Sequence, residues 1–315
     1  MSSECFIAFD TSCYTTSVAV VSGGQVLCDK RIMLDVERGA RGLRQSEAVF
    51  QHIKNLKTIF LDWPINDYTI KGVGYSARPR PRDDSYMPVF CVGESAALSC
   101  AAALGARSYA LTHQHAHIYS AFLGNKFRDG TFCVFHVSGG TLDVLKISVH
   151  ESIVKDILQI GGTLDITCGQ LIDRIGVAAG LSFPAGAEMD KLYAAGGAKL
   201  SVNVSGIRAN LSGAESQAIR LIKDGADVSL VFGGVIDCAA ETLLRMMDNA
   251  LKETGIKKFV FTGGVICNRI IREKILEACA RCGYECTLAD KAYSADNACG
   301  LAFGAQILYE RGDRI

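Results

Sequence analysis

The sequence predicts an α/β protein that consists of two lobes with the same internal architecture. The order of predicted elements, three strands followed by a helix, a strand and a second helix, occurs twice along the 315 residues. Turns rich in glycine or hydroxyl residues follow strands in both copies. Hydrophobic residues make up 49% of the chain, which is enough for two substantial cores. We therefore expect a duplicated α/β fold rather than a disordered chain.

The first copy begins with a meander of three strands. The runs CFIAFD, SVAVV and QVLCDKRIML are separated by the polar turns TSCYTT and SGG. A helix is expected at about 45–62, because four apolar residues recur at helical spacing: Val49, Ile53, Leu56 and Phe60. A strand near TIKGVGYS, an Arg- and Pro-rich loop at 77–88, an Ala-rich helix near 92–105 and the strand SYALT follow.

The second copy starts after a helix that we place near His113. The strands FCVFHVS, LDVLKISVH and VKDILQIG form its meander, and helices are expected at about 165–180 and 187–195. KKFVFTGGV predicts a strand that runs into a glycine turn, NRIIREKILEACARC a helix and YECTLAD a strand. The last helix, in DNACGLAFGAQILYERG, has small residues on its packing face.

The domain boundaries follow from this repeat. We place the N-terminal lobe at 1–110, with the helix 297–315 packing back on it, and the C-terminal lobe at 111–296. No low-complexity linker separates the two lobes, so we expect them to share a ligand cleft.

Composition excludes several classes of protein. The 33 basic and 33 acidic residues give a formal net charge of zero, which argues against broad electrostatic wrapping of a polyanion. The 13 cysteines are scattered and odd in number, and MSSECFIAFD lacks the basic region of a signal peptide. No apolar stretch reaches 18 residues. These features predict a cytoplasmic protein with reduced thiols and no membrane partner.

Two of the strand-end turns form an equivalent pair. A turn lined with hydroxyls and backbone N–H groups can hold phosphate oxygens. In the second copy, glycines let the backbone approach a ligand closely. Either turn alone also fits an ordinary hairpin, but their recurrence favours a pair of phosphate loops. The candidate residues are Asp10, Thr11 and Ser12 in the first copy and Ser138, Gly139 and Gly140 in the second.

Two further turns carry candidate ligand-binding residues. Gly263 and Gly264 lead through Asn268 into a helix, and a strand, a glycine turn and a helix N-terminus together can seat an anion. Gly186 precedes a short helix whose Asp190 carboxylate can accept a hydrogen bond from a ribose. Tight connections of no ligand-binding role also use glycine, so this alternative stays open for each turn taken alone.

Histidines are clustered in the middle of the chain. Four of the six lie within 24 residues: His113, His115, His117 and His136. His113 and His117 are four residues apart on a predicted helix, hence on one face and able to chelate one metal ion. His115 points elsewhere and is interpreted as a surface or packing residue. For a lone pair at this spacing, metal binding and ordinary packing both stay open.

Two other metal or protease patterns are weaker. A zinc peptidase of the HExxH type needs Glu after the first His, and here that position is Gln114, which cannot accept a proton as a general base. Cys279, Cys282 and Cys286 resemble a metal-thiolate run but lack a fourth ligand close by. We interpret the cysteines of the chain as reduced and mostly structural, and the role of this run stays open.

Together these residues resemble the TsaD/Gcp family, formerly called O-sialoglycoprotein endopeptidase and now understood as tRNA threonylcarbamoyladenosine transferase. DTSCYTTSVAVV is similar to the family's ETSCDDTSVA, and His113 and His117 match its HxxxH. HVSGGT, TGGVICN and YSADNACGLAFG are similar to its VSGG turn, its AGGVAAN turn and its CTDNAAMIAYAG segment. The resemblance runs in order over essentially the full length. It implies the duplicated actin, Hsp70 and hexokinase-like (ASKHA) fold, with two lobes around a nucleotide cleft.

The resemblance also implies a set of site residues. One divalent metal, iron or zinc with magnesium as an alternative, would be held by His113, His117 and Asp296. In some family members a Tyr just before the VSGG turn is a further ligand, and that position is His136 here, a candidate fourth ligand. ATP or an adenylate would contact Ser138, Gly139 and Gly140 through its phosphates, and Asp173, Gly186, Asp190 and Asn268 through its ribose and base.

The implied reaction is transfer of a threonylcarbamoyl group from its adenylate to the amino nitrogen of a tRNA adenosine, with accessory subunits as further partners. Three departures from the family pattern are visible. Tyr14 and Thr15 replace two aspartates, Gln45-Ser46-Glu47 keeps only the Glu of a His-Ala-Glu pattern, and the loop at 77–88 replaces GPGLYSSLLVG. These changes suggest a divergent paralogue.

The divergent loop carries Arg78, Arg80 and Arg82, followed by Asp83 and Asp84. It is a candidate contact for phosphate or tRNA, and a solvated loop with partly cancelled charge is the equally weighted alternative. Two functional alternatives also stay open. One is an ASKHA-fold carbamoyl or acyl transferase, or an ATPase, that acts on a different acceptor. The other is a non-catalytic regulatory paralogue, which would bind neither metal nor nucleotide.

Overall fold

The computed structural model describes residues 4–12, 14–36, 43–61, 63, 67–82, 84–125 and 129–312. The chain forms two compact units. The first unit comprises Met1–Asp129, Val149–Val154 and Ala292–Ile315, and the second comprises Gly130–Ser148 and Lys155–Lys291. The predicted lobe boundaries at 110 and 296 stay a prediction. In the observed division, residues 111–129 belong with the first unit.

The first unit is built on a five-stranded sheet. Its strands are β1 (Glu4–Asp10), β2 (Thr15–Ser22), β3 (Gln25–Met33), β4 (Thr69–Arg78) and β5 (Arg107–Thr112). Their order across the sheet is β3-β2-β1-β4-β5. The meander β1-β2-β3 is antiparallel, whereas β4 and β5 run parallel to β1. The helices that belong to this unit are α1 (Gln45–Leu61), α2 (Phe90–Leu104), α3 (His113–Phe122) and α10 (Cys299–Arg311).

The second unit is built on a seven-stranded sheet. Its strands are β6 (Gly130–Val137), β7 (Leu142–His150), β8 (Ile153–Thr163), β9 (Asn203–Ser205), β10 (Arg208–Asn210), β11 (Lys258–Thr262) and β12 (Glu285–Leu288). Their order is β12-β11-β6-β7-β8-β10-β9. The helices are α4 (Cys168–Ala178), α5 (Gly186–Lys191), α6 (Ser212–Lys223), α7 (Val228–Thr254) and α8 (Arg269–Cys282). The short α9 (Lys291–Ser294) follows β12, and all but its first residue belong to the first unit.

The two sheets repeat one topology. The order β3-β2-β1-β4-β5 of the first sheet recurs as β8-β7-β6-β11-β12 in the second, where β10 and β9 extend the β8 edge. β1 and β6 are central and almost entirely buried, as expected for strands that are covered on both faces. The predicted duplication is therefore confirmed. The short strands β9 and β10 were not predicted.

Helix α1 exists, and three of the four apolar residues of its predicted face pack inward: Leu56 is buried, and Val49 and Phe60 are partly buried against the core. The fourth, Ile53, is 54% exposed. The other buried side chains of the helix are Ala48, His52 and Ile59. His52, a residue of polar type, occupies the core because its Nδ1 hydrogen-bonds Thr16 Oγ1 at 2.8 Å.

The small residues of α10 let it pack directly against α3. A Cβ on Gly300 would lie 1.9 Å from the carbonyl oxygen of Ala116, and one on Gly304 would lie 2.8 Å from the Tyr119 ring. No larger residue fits at either position without moving α3. This packing confirms the predicted small face of the last helix and fixes the segment that precedes it, which carries Asp296. Residues 313–315 of the predicted 297–315 helix lie outside the described residues.

None of the helices in the described part of the chain is both long and apolar enough to cross a membrane. The cysteines among the described residues are all free thiols.

Candidate functional site

Helix α3 presents two histidines at the carboxyl end of the parallel strands of the first unit. It starts directly after β5, where Thr112 caps it: Thr112 Oγ1 accepts from the His115 backbone N–H at 3.3 Å. The His115 side chain completes the cap through the Thr112 backbone N–H at 3.3 Å. The His115 side chain therefore stabilises the start of helix α3, in keeping with its interpretation as a packing residue. Burial lowers the pKa of His115 to about 4.

His113, His117 and Asp296 come together, as the family resemblance implies. His113 Nε2 lies 3.2 Å from His117 Nε2, and His117 Nε2 lies 3.2 Å from Asp296 Oδ1. The remaining distance, from His113 Nε2 to Asp296 Oδ1, is 3.7 Å. We call these three side chains the His/Asp cluster. Both histidines are buried, and Asp296 is half-buried.

The spacing of the cluster fits a metal ion. Nitrogen and oxygen ligands at roughly 2.1 Å from one tetrahedral ion lie about 3.4 Å apart, and the three observed separations bracket this value. Two imidazole nitrogens and a carboxylate oxygen suit iron or zinc better than magnesium, which prefers oxygen. The residues that are present therefore fit the group that the resemblance implies.

The second ring nitrogen of His113, Nδ1, faces the end of β1 and the turn that follows it. His113 Nδ1 lies 2.8 Å from Ser12 Oγ and 3.4 Å from Asp10 Oδ2. Asp10 is 1% exposed and accepts hydrogen bonds from Ser76 Oγ at 2.7 Å and from the Ser12 backbone N–H at 3.0 Å. Asp10 and Ser12 were predicted as nucleotide contacts, and in the structure both face His113. Ser76, at the end of β4, was not predicted.

Electrostatics in the cluster favour a cation. Burial alone would raise the pKa of Asp10, but its hydrogen bond and charge interaction with His113, together with Ser76 and Ser12, lower it to about 2. Burial likewise opposes the charged forms of His113 and Asp296, yet their carboxylate and imidazole partners raise the pKa of His113 and lower that of Asp296. Burial lowers the pKa of His117. Two ionised carboxylates thus lie around two imidazoles.

Asp296 is held in the cluster by hydrogen bonds that the residues after it in the sequence make. Asn297 Oδ1 accepts from Ser120 Oγ at 3.2 Å and from the Cys299 backbone N–H at 2.8 Å. The Ala298 backbone N–H donates to Ser17 Oγ at 2.9 Å. These contacts tie the start of α10 to α3 and to β2, so the carboxylate next to them is held in place.

Thr11 and the Arg-rich loop are also anchored in the first unit. Thr11 Oγ1 donates to the Val89 carbonyl at 2.7 Å and accepts from the Gly93 backbone N–H at 3.0 Å, so its hydroxyl serves the start of α2. In the loop, the Pro79 carbonyl accepts from the Gln114 backbone N–H at 3.2 Å, which places the loop against the first turn of α3. Arg82 pairs with Asp84 at 2.6 Å, whereas Asp83 lies outside the described residues.

The second unit contains a pocket of about 510 Å³, a size typical of small-ligand sites. Most of the glycine turns that the sequence singled out meet here. The lining residues are Gly139, Gly169, Ile172, Asp173, Pro184, Gly186, Ala187, Asp190, Lys191, Gly264, Val265, Cys267 and Asn268. We call this cavity the glycine pocket. Ser138, Gly140 and Gly263 lie in the same turns, and Gly169, Ile172, Lys191 and Cys267 were not predicted.

Backbone forms much of the pocket wall. A Cβ added at Gly139, Gly140 or Gly264 would meet nothing within 4 Å, so these three residues border open space. Gly169 differs, because a Cβ there would lie 2.5 Å from both the Gly139 Cα and the Ser138 carbonyl oxygen. The first turn of α4 therefore packs directly on the turn after β6. Gly263 has φ +103°, a conformation that favours glycine.

Three polar side chains complete the pocket. Asp173 Oδ1 accepts from the Ala185 backbone N–H at 2.8 Å and so holds the turn that precedes α5, and burial raises the pKa of this carboxyl. Asn268 Oδ1 caps α8 by accepting from the Ile271 N–H at 3.0 Å. Asp190 Oδ2 accepts from the Arg269 N–H at 3.0 Å, whereas its buried Oδ1 has no partner among the described residues.

Two further predicted metal-binding features belong to the second unit: His136 and the cysteine run. His136 is the second-to-last residue of β6 in the second unit and is 2% exposed, and its role as a fourth ligand stays a prediction. Cys279 is buried with its Sγ 3.7 Å from Met247 Sδ, and Cys282 is exposed. No metal-binding group that includes the cysteine run is found in the part of the chain that the structure describes.

Comparison with known proteins identifies relatives over nearly the whole chain. The family model of TsaD, tRNA N6-adenosine threonylcarbamoyltransferase, matches residues 87–303. The tRNA N6-adenosine threonylcarbamoyltransferase of Thermotoga neapolitana is 26% identical, over 98% of this chain and 94% of that protein. A probable bifunctional tRNA threonylcarbamoyladenosine biosynthesis protein of Thermoplasma acidophilum is 25% identical, over 98% of this chain and 57% of that protein.

Solved structures agree on the fold. Full-length HypF superimposes with a TM-score of 0.62 at 14% identity, over 97% of this chain and 46% of that one, so this chain corresponds to about half of HypF. A ROK family glucokinase of Streptomyces griseus gives 0.52 at 9% identity, over 98% and 100% of the two chains. The activator of 2-hydroxyisocaproyl-CoA dehydratase from Clostridium difficile gives 0.52 at 13%, over 99% of each. The ASKHA fold is thereby confirmed.

Proposed function

Because the chain belongs to the tRNA N6-adenosine threonylcarbamoyltransferase family, we propose that it transfers a threonylcarbamoyl group from threonylcarbamoyl-adenylate to a tRNA adenosine. In this reaction the N6 amino nitrogen forms a bond to the carbamoyl carbon, the bond from that carbon to the phosphate oxygen breaks, AMP leaves, and N6 loses a proton. The observation that carries the proposal is the convergence of His113, His117 and Asp296 in a chain that matches this family.

The His/Asp cluster is the proposed metal centre. His113, His117 and Asp296 would hold one divalent ion, iron or zinc. When bound, that ion supplies positive charge for the anionic groups of the adenylate. The chain itself keeps the three ligand atoms in place through Ser120, Asn297 and the close packing of α10 on α3.

The glycine pocket is the proposed nucleotide site. Related folds support this, because HypF was solved with phosphate and nucleotide bound, and the dehydratase activator and the glucokinase with ADPNP and AMPPNP. The N–H groups of Gly139, Gly140 and Gly264 would bind phosphate oxygens, since their backbone borders open space. Asp190 Oδ1 would accept from a ribose hydroxyl, because it is a buried carboxylate oxygen without a partner among the described residues.

Transfer to the adenosine depends largely on how the protein positions this acceptor. The amino group of adenine is a weak nucleophile, so orientation has to supply much of the rate. We propose that Arg78, Arg80 and Arg82 contact tRNA phosphates, because their loop is anchored against the first turn of α3 by the Pro79 carbonyl. Accessory subunits would provide further tRNA contacts, given the zero net charge of this chain.

A second candidate keeps the same donor but changes the acceptor. The observation that favours it is the same loop, whose Arg-rich sequence at 77–88 replaces the segment found in the family pattern. A different acceptor would leave the His/Asp cluster and the glycine pocket unchanged.

Complementation tests the proposal. A strain depleted of its own threonylcarbamoyltransferase would express this chain together with the accessory proteins of that strain's pathway, and tRNA nucleosides would be measured by mass spectrometry. We expect threonylcarbamoyladenosine to return with the parent protein and with Asp165→Asn, but not with His117→Ala. If the modified nucleoside stays absent while the purified protein releases AMP from the adenylate, the acceptor is another molecule. If neither occurs although the protein is folded, the proposed transferase activity is wrong.

A further inference from the structure

We propose that Asp10 is a positioning residue of the His/Asp cluster: its carboxylate keeps the proton of neutral His113 on Nδ1, so that Nε2 presents its lone pair to a metal ion. The inference rests on the proposed metal centre and adds to it a residue that does not touch the ion. It also assigns the carboxylate at the end of β1 to the histidine rather than to a nucleotide.

The surroundings of Asp10 make it an acceptor toward His113. Its Oδ1 already accepts from the hydroxyl of Ser76 and from the backbone N–H of Ser12, at 2.7 and 3.0 Å. Its Oδ2 lies 3.4 Å from His113 Nδ1. An ionised carboxylate has no proton to donate, so any hydrogen bond to the imidazole requires a proton on Nδ1. Since Asp10 is 1% exposed, water offers little screening of this interaction.

Ser12 alone would not decide the position of the proton. Its Oγ lies 2.8 Å from His113 Nδ1, and a hydroxyl can either accept from Nδ1–H or donate to an unprotonated Nδ1. In the second arrangement the Nδ1 lone pair would face a buried carboxylate oxygen 3.4 Å away. This contact is repulsive, so Asp10 selects the arrangement in which Nδ1–H donates.

The consequence appears on the opposite side of the ring. His113 Nε2 faces His117 Nε2 at 3.2 Å and Asp296 Oδ1 at 3.7 Å. A proton on Nε2 would occupy the position that an ion needs and would have to be removed before binding. A carboxylate behind a ligating histidine fixes the tautomer and ring orientation, and loss of such a partner typically lowers metal affinity about 10- to 100-fold.

The test combines zinc affinity with the tautomer of His113. In the parent protein, freed of metal and at alkaline pH, the side-chain ¹⁵N spectrum should show neutral His113 protonated at Nδ1, with the signal assigned by its loss in His113→Ala. Asp10→Asn can turn its amide N–H toward Nδ1, so the proton should move to Nε2. Its zinc affinity, measured by competition with a chelator, should fall about 10- to 100-fold. Ser12→Ala should keep the Nδ1–H form, because Asp10 remains the acceptor.

Asp165→Asn is the matched control. Asp165 also accepts backbone N–H groups, from Leu211 at 2.8 Å and Ser212 at 3.0 Å, but it lies in the second unit, and no hydrogen bond joins it to a histidine among the described residues. Its zinc affinity should equal that of the parent.

Each other outcome overturns a definite part of the account. Parental zinc affinity in Asp10→Asn, combined with lost affinity in His113→Ala and His117→Ala, would refute the role of Asp10 and leave the metal centre standing. Parental affinity in both histidine variants would refute the metal centre itself. Should Asp10→Asn fail to fold, the parent spectrum decides alone, because an Nε2–H tautomer of His113 in the metal-free protein contradicts the inference.

Discussion

The His/Asp cluster is formed by side chains, whereas the glycine pocket is formed largely by backbone. The cluster consists of ionisable side chains from two distant segments, helix α3 and the segment that precedes α10, and Ser12 hydrogen-bonds His113. The pocket wall is largely backbone, and its key positions carry no side chain at all. The first arrangement selects a ligand by charge and donor atoms, the second by shape and N–H groups. Substitutions should therefore affect the two sites in different ways.

The largest expected effect is loss of the metal. His117→Ala removes one of three converging ligand atoms, so zinc affinity should fall by at least about 100-fold, and transfer activity should disappear with it. ATP affinity of the glycine pocket, measured without added metal, should change by less than about threefold, because none of the residues that line the pocket is altered. Calorimetric titration with zinc and with ATP measures both. Equal loss of the two affinities would contradict the division of roles.

Substitutions at two glycines of the pocket should affect protein stability and ATP binding differently. Gly169→Ala places a methyl group 2.5 Å from the Gly139 backbone, which should lower the free energy of unfolding by about 1–3 kcal/mol. Gly139→Ala points into open space, so its free energy of unfolding should stay within about 0.5 kcal/mol of the parent. ATP affinity should nevertheless fall in Gly139→Ala, since the methyl group would occupy the space in which the phosphate oxygens are proposed to bind. Urea unfolding and ATP titration check this pair. Unchanged ATP binding in Gly139→Ala would show that the turn does not hold phosphate.

Asp190→Asn should have a smaller and more specific effect. If Asp190 Oδ1 accepts from a ribose hydroxyl, loss of its charge should weaken ATP binding about tenfold. The parent should prefer ATP to 2′,3′-dideoxy-ATP, and the variant should bind the two alike. Zinc affinity should not change. An equal preference for ATP in both proteins would remove Asp190 from the ribose site.

The smallest expected effect concerns pH. Burial raises the pKa of Asp173 above its ordinary value of 3.8, so the folded state binds this proton more tightly than the unfolded state does. The parent should therefore lose stability as pH rises from about 4 through the folded pKa, and Asp173→Asn should lose less. Asp173→Ala should be less stable than both, because the Ala185 N–H then lacks its acceptor. Urea unfolding of all three proteins between pH 4 and pH 7 measures this, and parallel curves for the parent and Asp173→Asn would contradict it.

Much of the cluster could be predicted, because its central pair is local. His113 and His117 share a helix face by spacing alone, whereas Asp296 was predicted only from the family resemblance, 179 residues away from His117. The contact of Asp10 with His113 could not be predicted from local pattern. It depends on parallel pairing of β1, β4 and β5, which brings the ends of these strands to one edge of the sheet.

The sequence indicated the pocket residues that lie in glycine turns at the ends of strands or loops, but not those that lie outside such turns. Gly139, Gly186 and Gly264 stood at strand or loop ends, whereas Gly169 lies inside an apolar helical segment, where its close approach to another backbone leaves no local trace. The buried position of His52 on α1 was missed for a related reason. His52 takes a core position because Thr16, on a different element, supplies its hydrogen bond.

Single-turnover transfer tests the central claim most directly. The protein, loaded with zinc or iron and mixed with accessory subunits, would receive threonylcarbamoyl-adenylate labelled in its threonine and one equivalent of tRNA. The account predicts one AMP released for each adenosine modified, and neither product with His117→Ala. Release of AMP without label in tRNA, or full transfer by His117→Ala, would contradict it.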